Sequence, residues 1–252
     1  MTAGTPLDEI AGQIVADDPD HADWPISYFR THRDRFVGDM SLISEIVTHD
    51  SRVLELGSSP PFITAALSQQ GYDVTGIDIA PDRFAASIAR LGLYVIACDI
   101  EYEPLPFVSD SFDLVLMNEL FEHLRINPIF TCSEALRVLR PGGKLMLSTP
   151  NLWSLRGIFR FLVLRRAYAA CGDPFEEFSK LTTIGHMGHV REYTPREVAD
   201  FLTKLGFDID RIIYRGRSRF VVERAITSVC PWWRHYFTAV AVKPSPPEPE
   251  AT

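Results

Sequence analysis

The sequence predicts one three-layer α/β domain built around a mostly parallel, seven-stranded sheet. Three observations carry that expectation. Short apolar runs alternate with helical patterns along the middle of the chain, which is the signature of βαβ units. Three strand ends, Gly57, Asp78 and Asp99, recur at intervals of 21 residues, the span of one strand and one crossover helix. With 46% hydrophobic and 23% charged residues over 252 positions, the composition is ordinary for a globular chain, which needs no staples to bury a core.

The elements follow in order. Residues 1–23 hold Asp8, Glu9, Asp17, Asp18, Asp20 and Asp23, with Pro6 and Pro19. Composition reads this stretch as an acidic, flexible arm with one short helix, and it lacks the apolar run of a signal peptide. The main domain is expected over 24–242. Residues 52–56 (RVLEL) form a short buried strand that stops at Gly57. Residues 62–70 are helical, with Gly71 just past their end. The second strand takes 73–79, and a helix over 81–91 stops at Gly92. The third strand is 94–98 and the fourth 111–117 (SFDLVLM). A helix spans 128–139. Pro141-Gly142-Gly143 then makes a turn before a fifth strand at 144–148.

Residues 150–190 break the rhythm and read as a helical insert before the sixth strand. Thr194-Pro195-Arg196-Glu197 is a capping box with Pro at the first helical position. Its helix runs to Leu205 and Gly206 ends it. Strands at 207–214 and 236–242 complete the sheet. The tail, 243–252 (KPSPPEPEAT), has the composition of a disordered end.

The formal net charge is −8, which argues against a partner that is a nucleic acid, because counterion release needs clustered Lys and Arg. The four cysteines, Cys98, Cys132, Cys171 and Cys230, form no CxxC pair and no zinc spacing, so they read as reduced thiols in the cytoplasm. No run approaches the ~18 apolar residues of a membrane span.

A parallel sheet binds its ligand beyond the carboxyl ends of its strands, where strand order reverses. Gly57 opens the first such end, where only glycine lets backbone pass close to a ligand. Asp78 lies where a carboxylate accepts both ribose hydroxyls of a nucleoside. Asp99 lies where a carboxylate accepts from the exocyclic amine of adenine.

Glu55-Leu56-Gly57, Gly76-Ile77-Asp78, Cys98-Asp99-Ile100, Phe112-Asp113-Leu114-Val115 and Leu139-Arg140-Pro141-Gly142-Gly143-Lys144 come in order and at the right separations. Together they resemble the successive motifs of class I S-adenosylmethionine-dependent methyltransferases. The resemblance covers about residues 50–150 and extends towards 242. It implies a Rossmann-like sheet with an antiparallel last strand, and S-adenosylmethionine as cofactor. The cofactor contacts it implies are Glu55, Gly57, Ser58, Ser59, Asp78, Ile79, Asp99, Ile100, Asn118 and Glu119. The sequence departs from the family at its glycine-rich run, which here reads Gly57-Ser58-Ser59-Pro60-Pro61. The prolines suit a helix start, and they argue against a dinucleotide, whose pyrophosphate needs free N–H groups there. The resemblance also places a helix from Trp24 to Met40 over the pocket, with Tyr28, Arg30 or Arg33 meeting the methionine carboxylate.

Two segments are candidates for the acceptor side. Glu119, Glu122 and His123 form an ExxEH pattern that resembles a trio associated with a divalent metal in ubiquinone-pathway O-methyltransferases. No metal is the expectation, with Mg²⁺ on these three as the alternative. The second segment is 185–193 (GHMGHVREY), whose His186 and His189 offer a base near neutral pH. His186, His189 and His123 are thus the expected catalytic residues. The insert segment 153–168 is amphipathic and basic, with Arg156, Arg160, Arg165 and Arg166. It reads as a lid on the core, with peripheral contact at the inner face of a membrane as the alternative. The function expected is O-methylation of a glycan, glycolipid or related hydroxyl. The alternatives are a quinone-like or phenolic acceptor with a divalent metal, and a non-catalytic S-adenosylmethionine-binding protein.

Overall fold

In the computed structural model, which describes residues 6–183, 188–218 and 220–246, seven strands form one sheet in the order β3-β2-β1-β4-β5-β7-β6. The strands are β1 (Arg52–Leu56), β2 (Asp73–Asp78), β3 (Val95–Ala97), β4 (Phe112–Asn118), β5 (Leu139–Pro150), β6 (Asp208–Arg215) and β7 (Tyr236–Val242). The pairs from β3 through β5 are parallel. Only β7 runs the other way, antiparallel to both β5 and β6. Strand order reverses between β1 and β4, so a crevice opens beyond their carboxyl ends.

The apolar runs of the middle strands are continuous because both faces of the sheet are covered. Along β4, Leu114 and Leu116 point into one core cluster, and Val115 and Met117 into the other. Helices α1 (Pro6–Ala11), α2 (Trp24–Ile46) and α3 (Phe62–Gln69) cover the first face. Helices α5 (Pro128–Val138) and α8 (Pro195–Lys204) cover the second. Helix α4 (Ala85–Leu91) ends on Gly92 at φ +63°, as the position after a helix requires. The capping box of α8 forms with both hydrogen bonds, Thr194 Oγ1 accepting from Glu197 N and Glu197 accepting from Thr194 N.

Two expectations are corrected here. Residues 6–23 do not form a flexible arm. Leu7, Ile10, Ala11 and Ile14 are all buried, and their i, i+3, i+4, i+7 spacing lays one stripe against the core. Asp8 faces outward to Arg33, 2.6 Å away, and Asp17 accepts from the backbone of Ala86. Pro141-Gly142-Gly143 is not a turn before β5 but a bulge inside it. Gly142 takes φ +78°, and the register against β4 shifts between Phe112 and Leu114. A Cβ on Gly143 would lie 2.8 Å from the Arg140 carbonyl of the same strand and 3.1 Å from the Phe112 carbonyl of β4, so a side chain there would disturb both the bulge and the pairing with β4. The tail residues 247–252 lie outside the described residues.

The insert holds α6 (Leu155–Leu164) and α7 (Pro174–Thr183). Ser154 caps α6 by accepting from Gly157 N at 3.1 Å. The apolar side of α6 faces out: Phe159, Phe161, Leu162, Val163 and Leu164 are exposed. The lid expectation, an apolar face packed on the core, is therefore not met by this helix. A further helix, α9 (Val221–Val229), joins β6 to β7, where the sequence pattern assigns nothing. No helix among the described residues is long and apolar enough to cross a membrane.

Phe62, fully buried at the start of α3, packs its ring 5.3 Å from those of Phe29 and Phe36 on α2. Phe62→Ala is expected to cost about 3–5 kcal/mol of unfolding free energy, read by urea denaturation at neutral pH.

Candidate active site

A cavity of about 630 Å³ opens at the carboxyl ends of β1, β2 and β4. Its cofactor half is built from strand ends. Gly57, at φ +72°, and Ser58 both donate their N–H groups to the Ile77 carbonyl, at 2.8 and 2.9 Å. The chain thereby crosses from β1 towards β2. A Cβ on Gly57 would sit 3.0 Å from the Leu120 side chain, so glycine keeps this wall open. Asp78 is held ready at the end of β2. It accepts from Ser59 N at 3.1 Å and Ala80 N at 2.9 Å, with Arg83 at 3.4 Å. Two carboxylate oxygens offer about four acceptor sites, so room remains for ligand hydroxyls. Asp99 and Ile100 follow β3 on the same wall, and Ile79 stands exposed between them and Ser59.

Not every expected cofactor contact lies on that wall. Glu55 is buried behind it, where its carboxylate accepts from Thr64 N at 2.9 Å and from the Thr64 hydroxyl. Burial pushes its carboxyl up to about 7. The reason is strand parity: Val53 and Glu55 point to the α3 face, while Leu54 and Leu56 point the other way. Ser58 is also buried, with its hydroxyl against Gly76, where a Cβ would be 2.5 Å from Ser58 Oγ. Pro61 is the N-cap of α3, so the prolines precede the helix instead of opening it.

Helix α2 closes one side. Tyr28, His32 and Arg35, spaced i, i+4, i+7, line the cavity. Arg30 is exposed, and Arg33 pairs with Asp8. Of the three residues expected to meet a carboxylate, only Tyr28 is placed to do so, and Arg35 is the cation beside it, 2.7 Å from the Tyr28 hydroxyl. His32 and Arg35 were legible only as members of one helical face. Burial, with Arg35 nearby, lowers the His32 pKa to about 4, so this imidazole is neutral at pH 7.

The other half of the cavity assembles around the turn after β4. Glu119 takes φ +51° and forms an ion pair with Arg35 at 2.9 Å. It also accepts from Ser148 Oγ at 3.2 Å. Glu119 is thereby turned away from the expected metal trio. The group the fold brings together is Glu122, His123 and His189, whose ligand atoms all lie within 4.8 Å of one another. The His123 and His189 rings are 4.9 Å apart and nearly perpendicular. One Glu122 oxygen accepts from Thr149 at 2.9 Å. The other is buried without a hydrogen-bond partner, 3.9 Å from His189 Nε2. His186, also expected as catalytic, lies outside the described residues.

The His189 loop is tied down on both sides. Val190 N donates to the Glu122 carbonyl at 2.8 Å, and His189 N to Glu177 at 2.8 Å. His189 Nδ1 faces Glu192 at 3.4 Å. Glu192, absent from the sequence expectations, accepts from the consecutive N–H groups of Ala169, Ala170 and Cys171. Burial opposes its charge, but the His189 contact and those N–H groups outweigh it and hold the carboxyl at about 2. Burial likewise opposes the His189 charge, and the contact with Glu192 and the charge of Glu122 outweigh it and raise its pKa. Burial first, then the Glu119 charge, raises that of Glu122.

An observation at the strand ends bears on the cofactor. Both amide atoms of Asn118 and the hydroxyl of Ser59 are buried without partners among the described residues. Buried polar atoms are normally paired, so the Ser59 hydroxyl fits a polar ligand in the cavity, as do the Asp78 and Asp99 carboxylates, whereas Asn118, expected as a cofactor contact, is not among the residues that line it.

Residues 54–147 match the family described as a methyltransferase domain. The ubiquinone biosynthesis O-methyltransferase of Aromatoleum aromaticum is 27% identical over 168 residues, which are 64% of this chain and 66% of its own. The protein of the same name from Xanthomonas oryzae pv. oryzae is 33% identical over 108 residues, 40% of this chain and 44% of its own. The chain thus spans less than two thirds of the length of these curated relatives. A solved S-adenosylmethionine-dependent methyltransferase from Methanosarcina mazei superposes with a TM-score of 0.58 at 22% identity, over 81% of this chain and 98% of its own. Residues 54–147 match a methyltransferase domain, and the fold of the described residues is that of solved S-adenosylmethionine-dependent methyltransferases. The cofactor of that class is S-adenosylmethionine.

Glu192 ionises near 2 in the fold, against an ordinary 4.5. Its stabilising effect is therefore full above about 4.5 and fades as the pH falls towards 2. Glu192→Gln is expected to cost about 2–3 kcal/mol at pH 7. The difference from wild type should shrink steadily between pH 5 and pH 3, as followed by urea denaturation.

Proposed function

We propose that the chain is an S-adenosylmethionine-dependent O-methyltransferase acting on a hydroxyl of a phenolic or quinone-like small molecule. The observation that carries this reading is the grouping of Glu122, His123 and His189 on the wall of the cavity that also holds Asp78 and Asp99. The names of the relatives from Aromatoleum aromaticum and Xanthomonas oryzae support the acceptor class.

Bound S-adenosylmethionine supplies an electrophilic methyl group on a sulfonium. Asp78 would take its ribose hydroxyls and Asp99 its adenine amine. The protein's remaining task is to position the acceptor oxygen and remove its proton. His189 suits that task. Glu192 behind Nδ1 fixes the ring, as the carboxylate behind a catalytic histidine does in other folds, and Nε2 is left towards Glu122 and the cavity. A divalent cation would be held by Glu122, His123 and His189 and would supply Lewis acidity towards a hydroxyl. Two imidazoles and one carboxylate suit Mn²⁺, Zn²⁺ or Fe²⁺ better than Mg²⁺, which prefers oxygen.

A glycan or glycolipid hydroxyl is the second reading. The exposed apolar face of α6, flanked by Arg156, Arg165 and Arg166, favours it, because such a face suits peripheral contact of segment 153–168 with a membrane carrying the acceptor. The four cysteines, all free, support a reducing, cytoplasmic setting for both readings.

Asp78→Ala is expected to weaken binding of S-adenosylhomocysteine by about tenfold or more, roughly 1.4 kcal/mol, in calorimetric titration. Unchanged affinity would remove Asp78 from the cofactor site. His189→Ala is expected to leave that binding intact and lower turnover of the true acceptor about 10²–10⁴-fold. Activity abolished by EDTA and restored by Mn²⁺ would assign the metal-assisted reading with a phenolic acceptor. Full activity in EDTA would remove the metal from the reading and leave His189, oriented by Glu192, as the base.

A further inference from the structure

A second cavity, of about 730 Å³, lies on the other side of α2. Its walls are Asp34 and Gly38 of α2, the end of β6 with Arg215 and the following Arg217, and Arg224 of α9. Arg234, just before β7, completes it. On a chain of net charge −8, this wall is cationic.

The charges on it are not matched internally. Arg215 is neutralised by Asp39 and also donates to Thr238 Oγ1 and the Arg35 carbonyl. Arg234 donates to the carbonyls of Tyr214 and Thr227, at 3.1 and 3.4 Å, and meets no carboxylate among the described residues. The guanidinium groups of Arg217 and Arg224 have no hydrogen-bond or ion-pair partner among the described residues. Glu223, the nearest acid in the chain, is turned away to Ser218 and His235. Among the described residues Asp34 is the one carboxylate on the wall. Beside the neutralised Arg215, the described lining therefore carries three arginines and one carboxylate, a formal excess of two positive charges.

Two glycines make this possible. A Cβ on Gly38 would lie 2.4 Å from Arg215 Nη2, and one on Gly216 would lie 2.8 Å from the Tyr236 ring. Gly216 also takes φ +90°, which bends the chain after β6 and turns Arg217 to the cavity.

We infer that this second cavity binds a phosphate group, through Arg217, Arg224 and Arg234. Guanidinium is planar and offers paired N–H donors that match two phosphate oxygens, and a dianion would balance the uncompensated charge. A soluble phosphorylated molecule and a phospholipid headgroup both present that group. The site is separate from the methyl-transfer cavity, with α2 as the common wall, and neither its ligand nor its occupancy depends on the acceptor proposed above.

The test uses the full chain and two probes. Inorganic phosphate is titrated calorimetrically, and vesicles of phosphatidylglycerol in phosphatidylcholine are used in flotation. Wild type is expected to bind at least one probe. Arg217→Gln with Arg224→Gln is expected to weaken that binding by about tenfold or more, with S-adenosylhomocysteine affinity unchanged as the check on folding. Binding of free phosphate supports the site with a soluble ligand, and binding of vesicles alone supports it with a headgroup. Failure of wild type to bind either probe overturns the inference. So does vesicle or phosphate binding that survives the double substitution, including the case in which Arg156→Gln with Arg165→Gln abolishes vesicle binding instead. None of these readouts uses catalytic activity, so failure here leaves the proposed methyl transfer standing.

Discussion

A short chain of buried charges sets the geometry of both cavities. Glu119, after β4, pairs with Arg35 of α2. One turn further along α2, Asp39 pairs with Arg215 at the end of β6, and Arg215 reaches back to the Arg35 carbonyl. Two cations and two anions balance, and Arg35 and Asp39 are almost wholly buried. Burying such charges is costly unless each is paired and hydrogen-bonded, and here Tyr28, Ser148 and Thr238 supply the additional bonds. α2 is thereby pinned across the sheet, from β4 in the middle to β6 at the edge. Its face towards the strand ends becomes a wall of the cofactor cavity, and its other face a wall of the arginine-lined one.

The methyl-transfer cavity itself has two halves of different origin. Strand ends alone build the half with Gly57, Asp78 and Asp99, and their backbone hydrogen bonds leave little freedom. The other half depends on a loop from the insert, which the Glu122 carbonyl and the Glu177 carboxylate hold against the turn after β4. Electrostatics differ accordingly. The strand-end carboxylates are preset as acceptors. The Glu122, His123 and His189 group has a buried oxygen without a partner and two carboxylates around one imidazole, an arrangement poised to take up a proton or a cation.

Much of this was legible in the sequence, and the misses have physical causes. The strands were readable because two covered faces demand continuous apolar runs, and the strand-end residues followed from their spacing. Residues 6–23 resemble an arm by acid content, yet Leu7, Ile10 and Ala11 of α1 and Ile14 after it carry enough apolar surface to anchor them on the core. Glu55 was misassigned because a motif gives position along a strand, while alternation decides which face a side chain takes. Pro-Gly-Gly reads as a turn by composition, yet strand pairing carries straight through it. Arg35 was hidden because its partner Glu119 lies on a distant turn. Glu122, His123 and His189 could not be grouped by spacing, since the insert that brings His189 back is folded by contacts that leave no local pattern. Glu192 was silent for the same reason: its role is to gather three N–H groups from another loop.

The insert leaves and rejoins the domain at a single rung. Asn151 and Tyr193 pair as a parallel bridge, and Leu152 N donates to the Tyr193 carbonyl at 3.0 Å. Among the described residues, what lies between these two adds no strand to the sheet. Doubling the length of such an excursion costs only about 0.6 kcal/mol in closure entropy. The domain is therefore organised like a chassis with one exchangeable head. The span between residues 152 and 192 can therefore be exchanged while the strand-end half of the cavity stays untouched, and chimaeras cut at that rung would read what the insert contributes.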